Sequence, residues 1–204
     1  MAISINGSTN VITGLAVGGL PDGTIDADSL ASNAVTSAKL ASGAGGKILQ
    51  VKQTAKTDQF TSTAYAFTDV TGMSVSITPA STSNKILVKV EILVGGSANN
   101  YAAFRLLRDS THIGVPTGSA VLGGASRDST FGPLSHENSY QLENTGCTFL
   151  DSPNTTSAIT YKLQTSSYTN RTISINVPTS INTAGSTTYT ATGISTITVM
   201  EVAA

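Results

Sequence analysis

The sequence predicts an all-β protein: an extended N-terminal arm and neck, then a jelly-roll-like antiparallel β-sandwich, assembled as a homotrimer. Three observations predict it. From Ile48 onward, apolar and polar residues alternate in short runs broken by Gly, Pro, Asn and Asp, the period of half-buried strands. No window keeps a helical period. Thr24–Gly43 is a tandem pair of decapeptides, TIDADSLASN and AVTSAKLASG, in which Ile25 falls on Val35 and Leu30 on Leu40.

Two such units are too few to stack into a self-supporting solenoid. One apolar residue every five positions is also too thin a stripe for a lone helix or strand. Ile25, Leu30, Val35 and Leu40 therefore need another surface, and the simplest is the same segment of further copies around an axis. Asp26 and Asp28 against Lys39 allow charges to mix between chains. The expected organisation is an arm over residues 1–23, a neck and hinge over 24–46, and a head over 47–204.

The arm opens with AISI, then Asn6-Gly7, then STNVITGL. Asn-Gly between apolar-alternating runs predicts a tight two-residue hairpin turn, because both residues tolerate positive φ. Ile3, Ile5, Val11, Ile12, Leu15 and Val17 are too many apolar residues for a solvated tail, and short strands with open edges invite pairing with another chain. Docking is the expected role. SGAGGK at 42–47 superficially matches a phosphate-binding loop. Ala41 stands where its first glycine belongs and Ile48 where Ser or Thr would meet magnesium, so a hinge is expected there.

In the head, the strand readings are ILQVKQTAK, DVTGMSVSI ended by Pro79, KILVKVEILVGG, YAAFRLLRDSTHIG, AVLGG, SYQLEN, TGCTFLD, AITYKLQTSSY, RTISINV and STITVMEVA. Ile86, Val88, Val90 and Ile92 share one face of the third run, with Leu87 and Leu93 covering part of the other. The last run ends almost at the C-terminus, which predicts a central place in a sheet. Lys56 reads as a surface residue whose change to Ala does little.

Composition narrows the function. Of 204 residues, 11 are basic and 12 acidic, a net charge of −1, and charged residues make up 11%. No basic field exists for a phosphate backbone, so no nucleic-acid partner is expected. Ser, Thr, Asn and Gly fill the surface instead. A single cysteine, Cys147, forms no intrachain disulfide and reads as a small core residue. MAISINGSTN has no basic stretch followed by a long apolar run, so no secretory signal is expected, and no stretch reaches the length of a membrane helix.

Chemistry is sparse. His112 and His136 lie in polar contexts, STHIG and LSHEN, with no further ligand at motif spacing, so neither metal nor cofactor is expected. GGSAN at 95–99 lacks the closing glycine of a nucleophile elbow. Asp109, Asp128 and Asp151 fall at turn-like positions, where Asp caps backbone. No enzyme is expected. Ser97–Tyr101, Gly118–Asn138 and Ser166–Arg171 read as loops rich in Tyr, Asn, Ser and Gly, the mixture that adaptable recognition loops use. Tyr101, Arg127, His136, Tyr140, Tyr168, Asn170 and Arg171 are the candidates for contact with a receptor. Each Tyr can equally be an ordinary half-buried strand-end residue.

The stretch GTIDADSLASNAVTSAKLA resembles the neck repeats of phage tail fibres, especially those of cyanophages and marine phages. KILQVKQT, STSNKILVKVEILVGG, FRLLRDSTHIG, FLDSPNTTSAITYKLQ and STITVMEVAA resemble the small β head domain that follows such necks. The resemblance implies a homotrimeric virion fibre, its arm anchored to tail, baseplate or capsid, its head turned toward a host surface glycan. It implies no catalytic residues, and core roles for Ile86, Val88, Phe104, Leu106, Tyr161 and Leu163. With only two neck units the shaft is a stub, which leaves open a capsid-surface decoration protein or head fibre that binds no receptor.

Overall fold

A computed structural model of the chain describes residues 4–6, 11–13, 30–32, 34–36, 39, 46–115, 129–167, 171–180 and 191–204. The chain divides into two compact units, Met1–Gly46 and Lys47–Ala204. In the first, β1 (Ser4–Asn6) pairs antiparallel with β2 (Val11–Thr13), Ile5 opposite Ile12 and Asn6 opposite Val11. Asn6, expected in a two-residue turn, is therefore the last residue of β1. Farther along, isolated turns bond Ala34 N–H to Ala31 O at 2.9 Å and Lys39 N–H to Thr36 O at 2.9 Å. Leu30 and Val35 are 44% and 51% exposed. Ile3, Leu15, Val17, Ile25 and Leu40 lie outside the described residues.

The second unit is all-β. Its described strands are β3 (Ile48–Lys56), β4 (Phe60–Ser62), β5 (Thr68–Ile77), β6 (Lys85–Gly96), β7 (Asn100–Arg108), β8 (Thr111–Ile113), β9 (Phe131–His136), β10 (Glu143–Asp151), β11 (Ile159–Ser166), β12 (Ile173–Ile175) and β13 (Ser195–Val202). One sheet runs β3-β13-β6-β10, with β12 and β4 prolonging it at the far end of β6. The other runs β5-β11-β7, with β8 and β9 both pairing β7. All pairings are antiparallel. The chain crosses repeatedly from one sheet to the other, and the resulting order is that of a jelly roll.

Alternation places the core. Ile86, Val88 and Val94 of β6, Phe104 and Leu106 of β7, Tyr161 and Leu163 of β11, and Ile197 and Val199 of β13 are all 0% exposed and belong to one cluster between the sheets. Phe104 and Phe131 stack with ring centres 5.0 Å apart. β13 lies between β3 and β6, the central place expected of it, so its backbone is bonded along both edges. Cys147 is half-buried against the core, and burial pushes its thiol up to about 11.

Several readings need correction. YAAFRLLRDSTHIG is two strands, β7 and β8, joined by a turn in which Asp109 takes φ 53°. SYQLEN is not a strand of its own: residues 139–140 form a turn, and only its last two residues enter β10, which starts at Glu143. β4 and β9 escape the sequence pattern, being a three-residue run and a run interrupted by Pro133. AVLGG lies outside the described residues. Lys56 is no surface residue at 2% exposure. It points inward at the end of β3, lies beside Gly72, and pairs its buried ammonium with the exposed Asp58 at 2.8 Å.

Two buried carboxylates tie the unit together. Glu201 is 0% exposed; its oxygens accept from Gln50 Nε2 at 2.6 Å, Ala80 N–H at 2.6 Å and Asn84 Nδ2 at 2.7 Å. Burial pushes its pKa up, but these donors outweigh it and hold the carboxyl below its ordinary range. Asp151, on the inner side of β10, accepts from Arg108 Nη1 at 2.9 and 2.8 Å and from the Tyr161 hydroxyl at 2.7 Å. It thus clamps one sheet to the other, and burial, then the bond to Asp151, push the Tyr161 hydroxyl up.

Candidate recognition surface

Along β7 the side chains alternate: Ala102, Phe104 and Leu106 enter the core, while Tyr101, Ala103, Arg105 and Leu107 take the outer face of the smaller sheet. Tyr101 stays 49% exposed. The link between β4 and β5 is tied to this face by Ser167 N–H on Ala64 O at 2.8 Å and Ser166 Oγ on Tyr65 O at 2.6 Å. Because Ser166 pairs with Ala103 in the ladder, Tyr65, also 49% exposed, sits at the level of the residue between Tyr101 and Arg105. The Arg105 guanidinium lies 3.9 Å over the ring centre of Phe67.

Beyond Arg105 the face turns polar. Asp69 on β5 accepts from Lys162 Nζ at 2.8 Å and Gln164 Nε2 at 2.7 Å. The bond from Lys162, aided by Gln164 against partial burial, holds this carboxyl below its usual range. Exposed Tyr rings beside a flat cation, an amide and a fixed carboxylate supply stacking faces and directed hydrogen bonds. Nothing in this arrangement is a nucleophile with an adjacent base.

The predicted candidates divide. The turn after β6, the turn after β9 and the stretch after β11 meet at one end of the sandwich, where Asn99 N–H bonds His136 O at 2.6 Å and Arg171 Nη1 bonds Ala98 O at 2.9 Å. This brings Tyr101, Arg171 and Tyr140 to one end; Tyr140 is 47% exposed. Arg171 is half-buried, with that guanidinium nitrogen holding the 97–99 turn. Arg127, Tyr168 and Asn170 lie outside the described residues.

His136 is a correction. It is neither in a loop nor solvated: it closes β9 opposite Asn100, and both are 0% exposed. Its Nε2 donates to Val94 O at 3.2 Å, and its Nδ1, which has no partner, lies where a Cβ on Gly96 would come within 2.6 Å. The ring needs a glycine beneath it, so it supports the loops from below and cannot touch a receptor. Beside it, Asn100 donates to Thr172 O at 3.0 Å and accepts from Ser167 Oγ at 3.1 Å.

Tyr65, Phe67 and Arg105 were not singled out by the sequence reading. Arg105 was legible, since a charge between Phe104 and Leu106 on a strand must point away from the core. Tyr65 and Phe67 had no such signal, because only the fold lays their segment across β11. Among the described residues, no group of three or more His, Cys, Asp and Glu could hold a metal ion. No helix of the described residues is long and apolar enough to cross a membrane.

No protein-family model matches the chain, and no curated protein matches it. Among solved structures it is similar to those of infectious bursal disease virus. For the VP2 subviral particle the identity is 12% and the TM-score 0.38, over 75% of this chain and 41% of that one. For the derived T=1 particles the values are 10% and 0.40, over 76% and 40%. For the Gx strain they are 12% and 0.39, over 78% and 43%. The chain thus spans less than half the length of these viral chains, and a likeness this loose carries no argument about function.

Proposed function

We propose that this protein is a virion structural component: a short homotrimeric phage tail fibre, anchored through residues 1–23, joined through the neck, and presenting its β-sandwich to a glycan on the host surface. The observation that carries the reading is the exposure of Leu30 and Val35, 44% and 51%, one apolar position from each unit of a tandem repeat. Apolar side chains in so thin a stripe gain stability only against another chain. Light scattering on a chain of 20.8 kDa tests it: the expected mass is about three times that value, and Leu30→Asp lowers it. A monomer at every concentration overturns the trimer.

The glycan reading is supported by Tyr65, Tyr101 and the Arg105–Phe67 stack on the outer face of the smaller sheet. Fibres carrying Tyr101→Ala are expected to lose retention on immobilised host polysaccharide while keeping their mass. No catalytic role is proposed, and incubation with that polysaccharide should leave its chain length unchanged. The two-unit neck favours one alternative, a capsid-surface decoration protein without a receptor. Electron microscopy of particles separates the two, since tail and capsid positions exclude each other.

A further inference from the structure

The larger sheet also has an outer face, and its register gathers apolar side chains there. Leu150 pairs with Leu87, Leu87 with Met200, and Met200 with Val51. All four point away from the core, forming one rung across β10, β6, β13 and β3, about 14 Å long at the usual strand spacing. Its ends are the open parts: Leu150 is 48% exposed and Val51 55%, while Leu87 and Met200 are half-buried between them. Ile48 and Leu49, 48% and 49% exposed, extend the patch along β3. Apolar surface gathered this way marks an interaction site more often than scattered apolar residues do.

We propose that this face packs against the same face of further copies of the chain, with the Leu150–Val51 rung as a dry seam around a common axis. The inference rests on the trimer reading above and extends it from the neck to the head. Two features select a second copy as the occupant. The next outward positions on β6 are Lys89 and Glu91, paired at 2.9 Å and 47% and 53% exposed, so this part of the face carries a charge of each sign side by side. A copy of itself offers Glu91 to Lys89 and Lys89 to Glu91, whereas a partner of uniform charge meets a mismatch at one of them. Of the other outward positions, Lys85 at the start of β6 is exposed and donates to Ser152 Oγ at 2.8 Å, and Thr148, Thr198, Gln53 and Thr196 are neutral. Second, β3 begins at Ile48, the second residue of the Lys47–Ala204 unit. Any assembly through residues 24–46 therefore raises the local concentration of this patch against its own copies.

The test uses the full chain, its mass followed by light scattering over a dilution series. Val51→Asp and Leu150→Asp replace side chains already half exposed, so the fold is retained, as far-UV circular dichroism will verify. Each is expected to raise the concentration at which the assembly dissociates by at least ~10-fold, because a carboxylate is buried in the seam. Ser74→Asp, on the exposed face of the other sheet, should leave it unchanged. Glu91→Lys should weaken the assembly and Lys89→Glu added to it should restore it. Native trimers whose Val51→Asp and Leu150→Asp forms dissociate at the native concentration overturn this inference and leave the neck reading standing. A native monomer at all concentrations overturns both. Sedimentation with phosphatidylcholine vesicles that Val51→Asp abolishes, at unchanged mass, assigns the face to a lipid surface and also overturns the inference.

Discussion

The two sheets share one core but turn different faces outward. Inside, both are sealed by Ile, Val, Leu, Phe and Tyr at alternate positions. Outside, the larger sheet carries the Leu150–Leu87–Met200–Val51 rung, and the smaller one carries Tyr101, the Arg105–Phe67 stack and the Lys162–Asp69–Gln164 cluster. The inner residues answer to one requirement, exclusion of water. The outer ones are free of it, and they differ: an apolar rung on one side, aromatic rings and hydrogen-bonded polar groups on the other. A strand of period two states both in one sequence.

The contrast collapses most completely where the larger sheet itself fails to form. A Cβ on Gly146 would lie 1.9 Å from the Val90 carbonyl oxygen, a backbone atom that cannot yield without parting β10 from β6. Gly146→Val is expected to cost more than ~4 kcal/mol, read as loss of cooperative urea unfolding or of soluble protein. Next comes separation of the two sheets from each other. Asp151→Ala leaves the Arg108 guanidinium and the Tyr161 hydroxyl without their acceptor and should cost ~3–5 kcal/mol. Tyr161→Phe removes one donor and should cost only ~1–2 kcal/mol.

Acid sharpens the comparison with a smaller effect. Glu201 and Asp69 both have folded pKa values below their ordinary ones, 4.5 and 3.8. Their contribution is therefore complete above the unfolded values and is lost as pH falls through the folded ones. Thermal midpoints should hold from pH 7 to about 5 and decline below the ordinary carboxylate range. Glu201→Gln should flatten that decline more than Asp69→Asn, because Glu201 is the fully buried partner. The smallest effect on stability belongs to the recognition side. Tyr101→Ala should move unfolding by less than ~0.5 kcal/mol while abolishing attachment, and a large loss of stability would return Tyr101 to the ordinary strand-end role.

Much of the fold is readable from local pattern. KILVKVEILVGG, AITYKLQTSSY and STITVMEVA contain β6, β11 and β13, because long alternation leaves no other way to bury one face. β4 and β9 are not readable: three residues carry no period, and Pro133 argues against a strand that β7 nevertheless pairs. The candidate site is legible only in part. Tyr101 and Tyr140 are exposed, but His136, read as a surface histidine, is a buried support, since LSHEN gives no sign of the Gly96 surface waiting for its ring.

By itself, the order of residues determined that the chain would form antiparallel strands, which side of each long strand would be dry, and that the stretch before residue 47 carries apolar residues too thinly spread to cover one another. These follow from period and composition, which need no knowledge of distant partners. Tertiary structure alone decided that Lys56 would be buried, that Glu201 would sit among neutral N–H donors, and that Leu150, Leu87, Met200 and Val51 would line up. Each depends on the register between strands far apart in the chain, and register is set by how the whole core closes.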